Sequence, residues 1–147
     1  MSNFDVEKLL KALENENNAD VMQLDYEKIS KEKNDILQKL KQPREKLKEL
    51  NKKLKDYRYV DNIESLKYGS SIRWISLKNP DPLQIKLTNG GIVVKIEINK
   101  EDIYIMVKNN MNKFITIKMS ENLIFQKLMN QEQILLTAIK YLNNNNN

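Results

Sequence analysis

The chain has 147 residues, with 25 Lys and Arg against 20 Asp and Glu for a net charge of +5, and neither histidine nor cysteine. That composition excludes disulfides, thiolate zinc sites and any chemistry resting on a histidine base or a cysteine nucleophile. The length suits one domain, or one small domain with an appendage.

In chain order, Val6, Leu9, Leu10 and Leu13 recur at helical spacing and predict a short amphipathic helix. A break follows over 14–20, where Asn and Asp compete for backbone hydrogen bonds. From Met22 a heptad pattern begins. Tyr26, Lys33, Leu40, Leu47 and Leu54 share one position; Met22, Ile29, Ile36, Leu50 and Tyr57 share the other. Pro43 removes an amide donor, so the helix ends or kinks near Gln42 and restarts with the proline in its first turn. Residues 1–58 therefore read as a coiled-coil-like helical arm.

The arm's apolar seam is Ile29, Ile36, Leu40, Leu47, Leu50 and Leu54. Such side chains gain about 1.5–3 kcal/mol each when fully buried. A seam of this length predicts self-association or a partner helix. Antiparallel pairing is preferred, because parallel copies would set Lys39 against Arg44 and Lys53 against Arg58.

Charge is unevenly spread. Residues 1–25 carry two Lys against six acidic residues, 26–58 carry twelve Lys and Arg against six, and 59–147 carry eleven against eight. The basic segment supplies a candidate polyanion site in Lys39, Arg44, Lys46, Lys53 and Arg58, with nucleic acid as its partner. The preceding Asp5, Glu7, Glu14, Glu16 and Asp20 lie close enough in sequence to mask it.

Five period-two runs follow, over 71–77, 83–88, 92–98, 103–108 and 113–119. They are separated by Asn, Pro, Asp and Gly turn residues such as Asn89-Gly90-Gly91. Short connections predict an antiparallel five-stranded sheet or small partial barrel. Residues 120–129 read either as a sixth strand or as the start of the C-terminal helix. That helix is predicted over 131–142, begun by Asn130 and Gln133 in a capping-box-like arrangement and lying over the sheet. The Asn run at 143–147 reads as a disordered tail. The fold class is α+β, divided into the arm (1–58), a β domain with its C-terminal helix (59–142) and the tail, and residues 59–147 are expected to fold without the arm.

Glu101-Asp102 falls at a hairpin turn, where solvated charge is expected, and Gly90-Gly91 lacks the spacing of a nucleotide-binding loop. No catalytic residue, cofactor or metal site is expected. Trp74 shares a strand face with Ile72 and reads as core. Tyr68, and Phe114 between Lys113 and Lys118, are the aromatics best placed to meet bases. No apolar run reaches the roughly 20 residues of a membrane span. The first residues lack a secretory pattern, so an intracellular location is expected.

Tyr68-Gly69 with Ile72-Arg73-Trp74-Ile75, Leu87-Thr88-Asn89-Gly90-Gly91 and Ile124-Phe125-Gln126-Lys127-Leu128 resemble small proteins of nucleocytoplasmic large DNA viruses, the giant viruses of protists. The resemblance covers roughly residues 65–142. It rests on turn and core residues, and it supplies no catalytic residue. It implies a viral origin, the cytoplasm of a host cell, and a virion or virus-factory component. The expected function is a non-enzymatic structural or interaction protein that assembles through its arm. The alternative is an accessory nucleic-acid-binding protein that uses the basic helix over 26–58.

Overall fold

The computed structural model describes residues 6–14, 25–79 and 81–145. The expected heptad start at Met22 and all but the first residue of the predicted break at 14–20 lie outside them. The elements run α1 (Val6–Glu14), α2 (Tyr26–Gln38), α3 (Arg44–Lys53), β1 (Tyr57–Val60), β2 (Ser71–Ser76), β3 (Gly91–Ile98), β4 (Ile103–Lys108), β5 (Phe114–Lys118), β6 (Asn122–Lys127) and α4 (Asn130–Asn145). The class is α+β. They fall into two compact units, 33–127 and the remainder formed by 1–32 with 128–147.

In the unit of 33–127, six antiparallel strands form one open sheet in the order β1-β6-β2-β3-β4-β5. Two differences from the expected five strands set this order. The Tyr57-Arg58-Tyr59-Val60 stretch leaves the helix and pairs with β6, from Tyr57 opposite Lys127 to Val60 opposite Ile124. The expected boundary between 58 and 59 thus falls inside a strand. The run at 83–88 is not a strand. Pro82 lacks an amide donor and Asp81 accepts from the Leu83 amide at 2.9 Å, which winds Pro82–Gln84 into a 3-10 turn. Only Leu87 bridges the sheet, opposite Ile75. Residues 122–127 take the strand alternative, at the second position in the sheet.

The alternation of side chains gives this sheet two faces. Its inner face draws on every strand: Val60, Ile72, Trp74, Val93, Ile105, Val107, Ile117 and Ile124 form one buried cluster with Leu66. Trp74 is core, as its strand face implied. On the outer face, Ile75, Leu123 and Phe125 of β2 and β6 pack with Leu37, Leu50 and Leu54 of the helices. Gly90 makes the approach to β3 possible. Its φ is +77°, and a Cβ there would lie 1.8 Å from the Ile72 carbonyl oxygen.

The other unit joins α1, the first turns of α2, and α4. Ala12, Leu135 and Leu136 are buried, and Ile29 packs with Leu128 and Leu136. The Tyr26 hydroxyl donates to the Gln133 carbonyl at 3.4 Å. The start of α4 lies one residue earlier than Asn130 and Gln133 suggest: the Glu132 carboxylate accepts from the Met129 amide at 3.0 Å. The helix runs on through Asn145, so the expected tail from 143 is helical to that point. Its i→i−4 ladder tolerates Asn, which costs a few tenths of a kcal/mol per residue.

Candidate interaction surface

The seam residues do not form one free stripe. Ile29 is buried in the unit containing α4, with Leu128 and Leu136. Ile36, Leu40, Leu47, Leu50 and Leu54 all join the cluster under the sheet's outer face. Leu50 is 2% exposed and Leu54 fully buried. Apart from Ile29, the apolar seam is covered by the chain's own β2 and β6 and not by a second helix. The expected interruption at Pro43 is present, with α2 ending at Gln38 and α3 starting at Arg44, but the two helices do not form a coiled-coil arm. Leu37, off the heptad seam, is fully buried, because the helix packs on a sheet and not on a matching helix.

Lys33, the lysine inside the seam, is buried as well. Its Nζ donates to the Leu54 carbonyl at 2.7 Å and the Tyr57 carbonyl at 3.0 Å. The Leu54 carbonyl also accepts from the Tyr57 amide at 3.0 Å, so Lys33 adds a charged donor to the turn that joins α3 to β1. Burial pushes the ammonium below the usual lysine range, while Asp56 opposes that shift.

The candidate polyanion residues are divided. Lys39 and Arg44 are exposed and Lys46 is half-buried. Lys53 is exposed but lies 2.8 Å from the Glu49 carboxylate, one turn away. Arg58 is 4% exposed on β1, and its Nη2 donates to the Ser65 carbonyl at 3.3 Å. It points into the fold and not toward a ligand, which corrects its place in the set. It was misassigned because Tyr57–Val60 is strand and not helix.

The surface that sequence reasoning missed is the outer face of β3, β4 and β5. The strand register sets three rows across it: Ile92-Lys108-Phe114, Lys95-Met106-Thr116 and Glu97-Tyr104-Lys118. Ile92 is 48% exposed and Phe114 is 63% exposed. Lys118 Nζ sits 5.6 Å from the Tyr104 ring centroid, within cation–π range. Lys95 and Glu97 pair at 2.7 Å. A bulge between Val93 and Lys95 turns the phase of β3. Strict alternation would set Ile92 and Ile96 on one face, whereas past the bulge Ile96 packs on the inner cluster and Ile92 stays out. Phe114 was noted among lysines, but the face it shares with Ile92 is set by register.

The face is mixed: Lys108 stands between Ile92 and Phe114, and Lys95, Glu97 and Lys118 bring charge to the other two rows. Among the described residues no three acidic side chains gather to hold a metal ion, and no helix is long and apolar enough to cross a membrane. Comparison of the chain with protein-family models, with curated proteins and with solved structures finds no match.

Proposed function

We propose that the chain is a non-enzymatic interaction protein and that it holds its partners through the open outer face of β3, β4 and β5. The observation that carries this reading is the contrast between two apolar surfaces. The helical seam is spent inside the fold, whereas Ile92 and Phe114 remain in water on a regular sheet. In the row Ile92-Lys108-Phe114 a lysine stands between two exposed apolar side chains, and a mixed apolar and polar face of this kind suits a protein contact. The lack of histidine and cysteine supports a binding role over catalysis. The resemblance to giant-virus proteins suggests a virion or virus factory as the setting.

A photo-reactive phenylalanine analogue at position 114 tests this in the source cell. It should trap protein adducts that the same group at position 39, just past the end of α2, does not. Adducts at 39 alone would refute the reading.

The second reading, nucleic-acid binding by the basic helices, is favoured by the exposure of Lys39 and Arg44. It loses Arg58 to the fold and shares Lys53 with Glu49. Binding that falls by orders of magnitude between roughly 50 and 200 mM salt, and is lost with Lys39→Gln and Arg44→Gln, would promote it.

A further inference from the structure

We infer that a second copy of this chain pairs with β5 edge to edge, antiparallel, about a two-fold axis through Thr116. The inference rests on the interaction reading above and names the partner. β5 is one of the two open edges of the sheet, and β1, the other, is shorter by a residue. The Asn109 amide donates to the Lys113 carbonyl at 2.9 Å. Hydrogen-bonded and non-bonded pairs alternate along an antiparallel ladder. Ile115 and Ile117 therefore direct their backbone groups at β4, while Phe114, Thr116 and Lys118 direct theirs outward. The Lys118 carbonyl is already engaged by Asn122 Nδ2 at 2.8 Å. Phe114 and Thr116 present open amides and carbonyls, and both side chains are exposed.

Natural edge strands are blunted by proline, by lysine, by bulges or by charges pointing inward, and the one charge of β5, Lys118, stands at its end. Phe114–Lys118 has no proline, and its pairing with β4 is regular throughout. Its sequence is also complementary to itself. With the axis at Thr116, Phe114 meets Lys118 of the second copy on the outer face, and Ile115 meets Ile117 of the second copy on the inner face. Thr116 meets its own equivalent. Aromatic–cation, aliphatic and Thr–Thr neighbours are each favourable across strands. Moving the axis to Lys118 would set two ammonium groups together. Moving it to Phe114 runs the pairing into the 109–113 turn, where Asn112 has φ +61°. Of the registers centred on an outward-facing residue, only Thr116 pairs all five residues without a like-charge contact, with the second lone pair of the Lys118 carbonyl, beside Asn122 Nδ2, taking the Phe114 amide of the second copy.

The test uses the full-length chain. Sedimentation equilibrium should give twice the chain mass for the wild type, and a single chain mass for Thr116→Pro and Thr116→Lys. Proline removes an amide that the chain's own ladder does not use, and lysine sets like charges across the axis. Both variants should keep the wild-type circular dichroism. Because the chain has no cysteine, Thr116→Cys supplies a clean cross-link. Opposed Cα atoms in such a pair lie about 5.5 Å apart, within disulfide reach. Mild oxidation should convert Thr116→Cys to covalent dimer and leave Lys39→Cys monomeric. A dimer that survives both Thr116 substitutions, or that cross-links through Lys39→Cys instead, overturns the inference. So does a wild-type monomer whose outer face binds single-stranded oligonucleotide through Phe114. A monomer that still traps a foreign protein at position 114 overturns the self-pairing alone, and one that traps nothing there overturns the interaction reading as well.

Discussion

Lys33 Nζ stands 2.7 Å from the Leu54 carbonyl oxygen, so the one lysine within the heptad seam braces the turn that leads out of α3. A coiled-coil reading makes this residue a defect. In the fold it ties α2 to α3 and to the start of β1, through the Tyr57 carbonyl at 3.0 Å. Burial lowers the proton affinity of its ammonium from the ordinary value of 10.5. Between the lowered value and 10.5 the unfolded chain binds more protons than the folded one. The Lys33 contribution to stability therefore rises with pH across that window and is flat below it. Urea unfolding at a series of pH values should show this rise in the wild type relative to Lys33→Met. Parallel pH profiles for the two would contradict it.

Leu54 is fully buried within the chain. Leu54→Ala should cost about 2–5 kcal/mol of stability, the range for a large-to-small core change. Denaturant unfolding measures the loss, and the oligomer mass should not change. An interface residue would behave the other way, with mass lost and monomer stability kept.

A fragment of residues 59–147 should not fold. It lacks Leu37, Leu50 and Leu54, which cover Ile75, Leu123 and Phe125, and it begins inside β1. Circular dichroism and near-ultraviolet signals should show a disordered or aggregated chain. A cooperative, monomeric fragment would mean that the helices are dispensable to the sheet.

Gly90→Ala should destabilise by more than about 1 kcal/mol, because a positive φ alone costs that much in a residue with a Cβ. The Ile72 carbonyl would also have to move, since the new Cβ would lie 1.8 Å from its oxygen. Thermal unfolding reads the effect. Lys39→Gln, an exposed change just past the end of α2, should stay within about 0.5 kcal/mol.

How much could be read from the sequence follows from what each pattern measures. Strands β2 to β5 were legible because their alternating residues and the Asn-containing turns between them are local signals. Helix positions were legible for the same reason, down to the break at Pro43. The partner of the helical stripe was not, since a stripe spaced for a helix–helix seam can also lie on a sheet. Leu37 marks the difference: it is buried although the heptad leaves it out. β1 was hidden because Tyr57-Arg58-Tyr59-Val60 continues a lysine-rich helix without a glycine or proline to mark the change. The open outer face could not be read at all, because Ile92 and Phe114 come together only through the registers of β3, β4 and β5 and a bulge that shifts the phase.

The central claim is that contact with partners has moved from the helices to the sheet. Hydrogen exchange of the full-length chain, followed over rising protein concentration, tests it most directly. Protection should increase at the amides of Phe114 and Thr116 and stay constant along Arg44–Lys53. Protection that rises along α3 while β5 stays unchanged would return assembly to the helical arm and contradict the account.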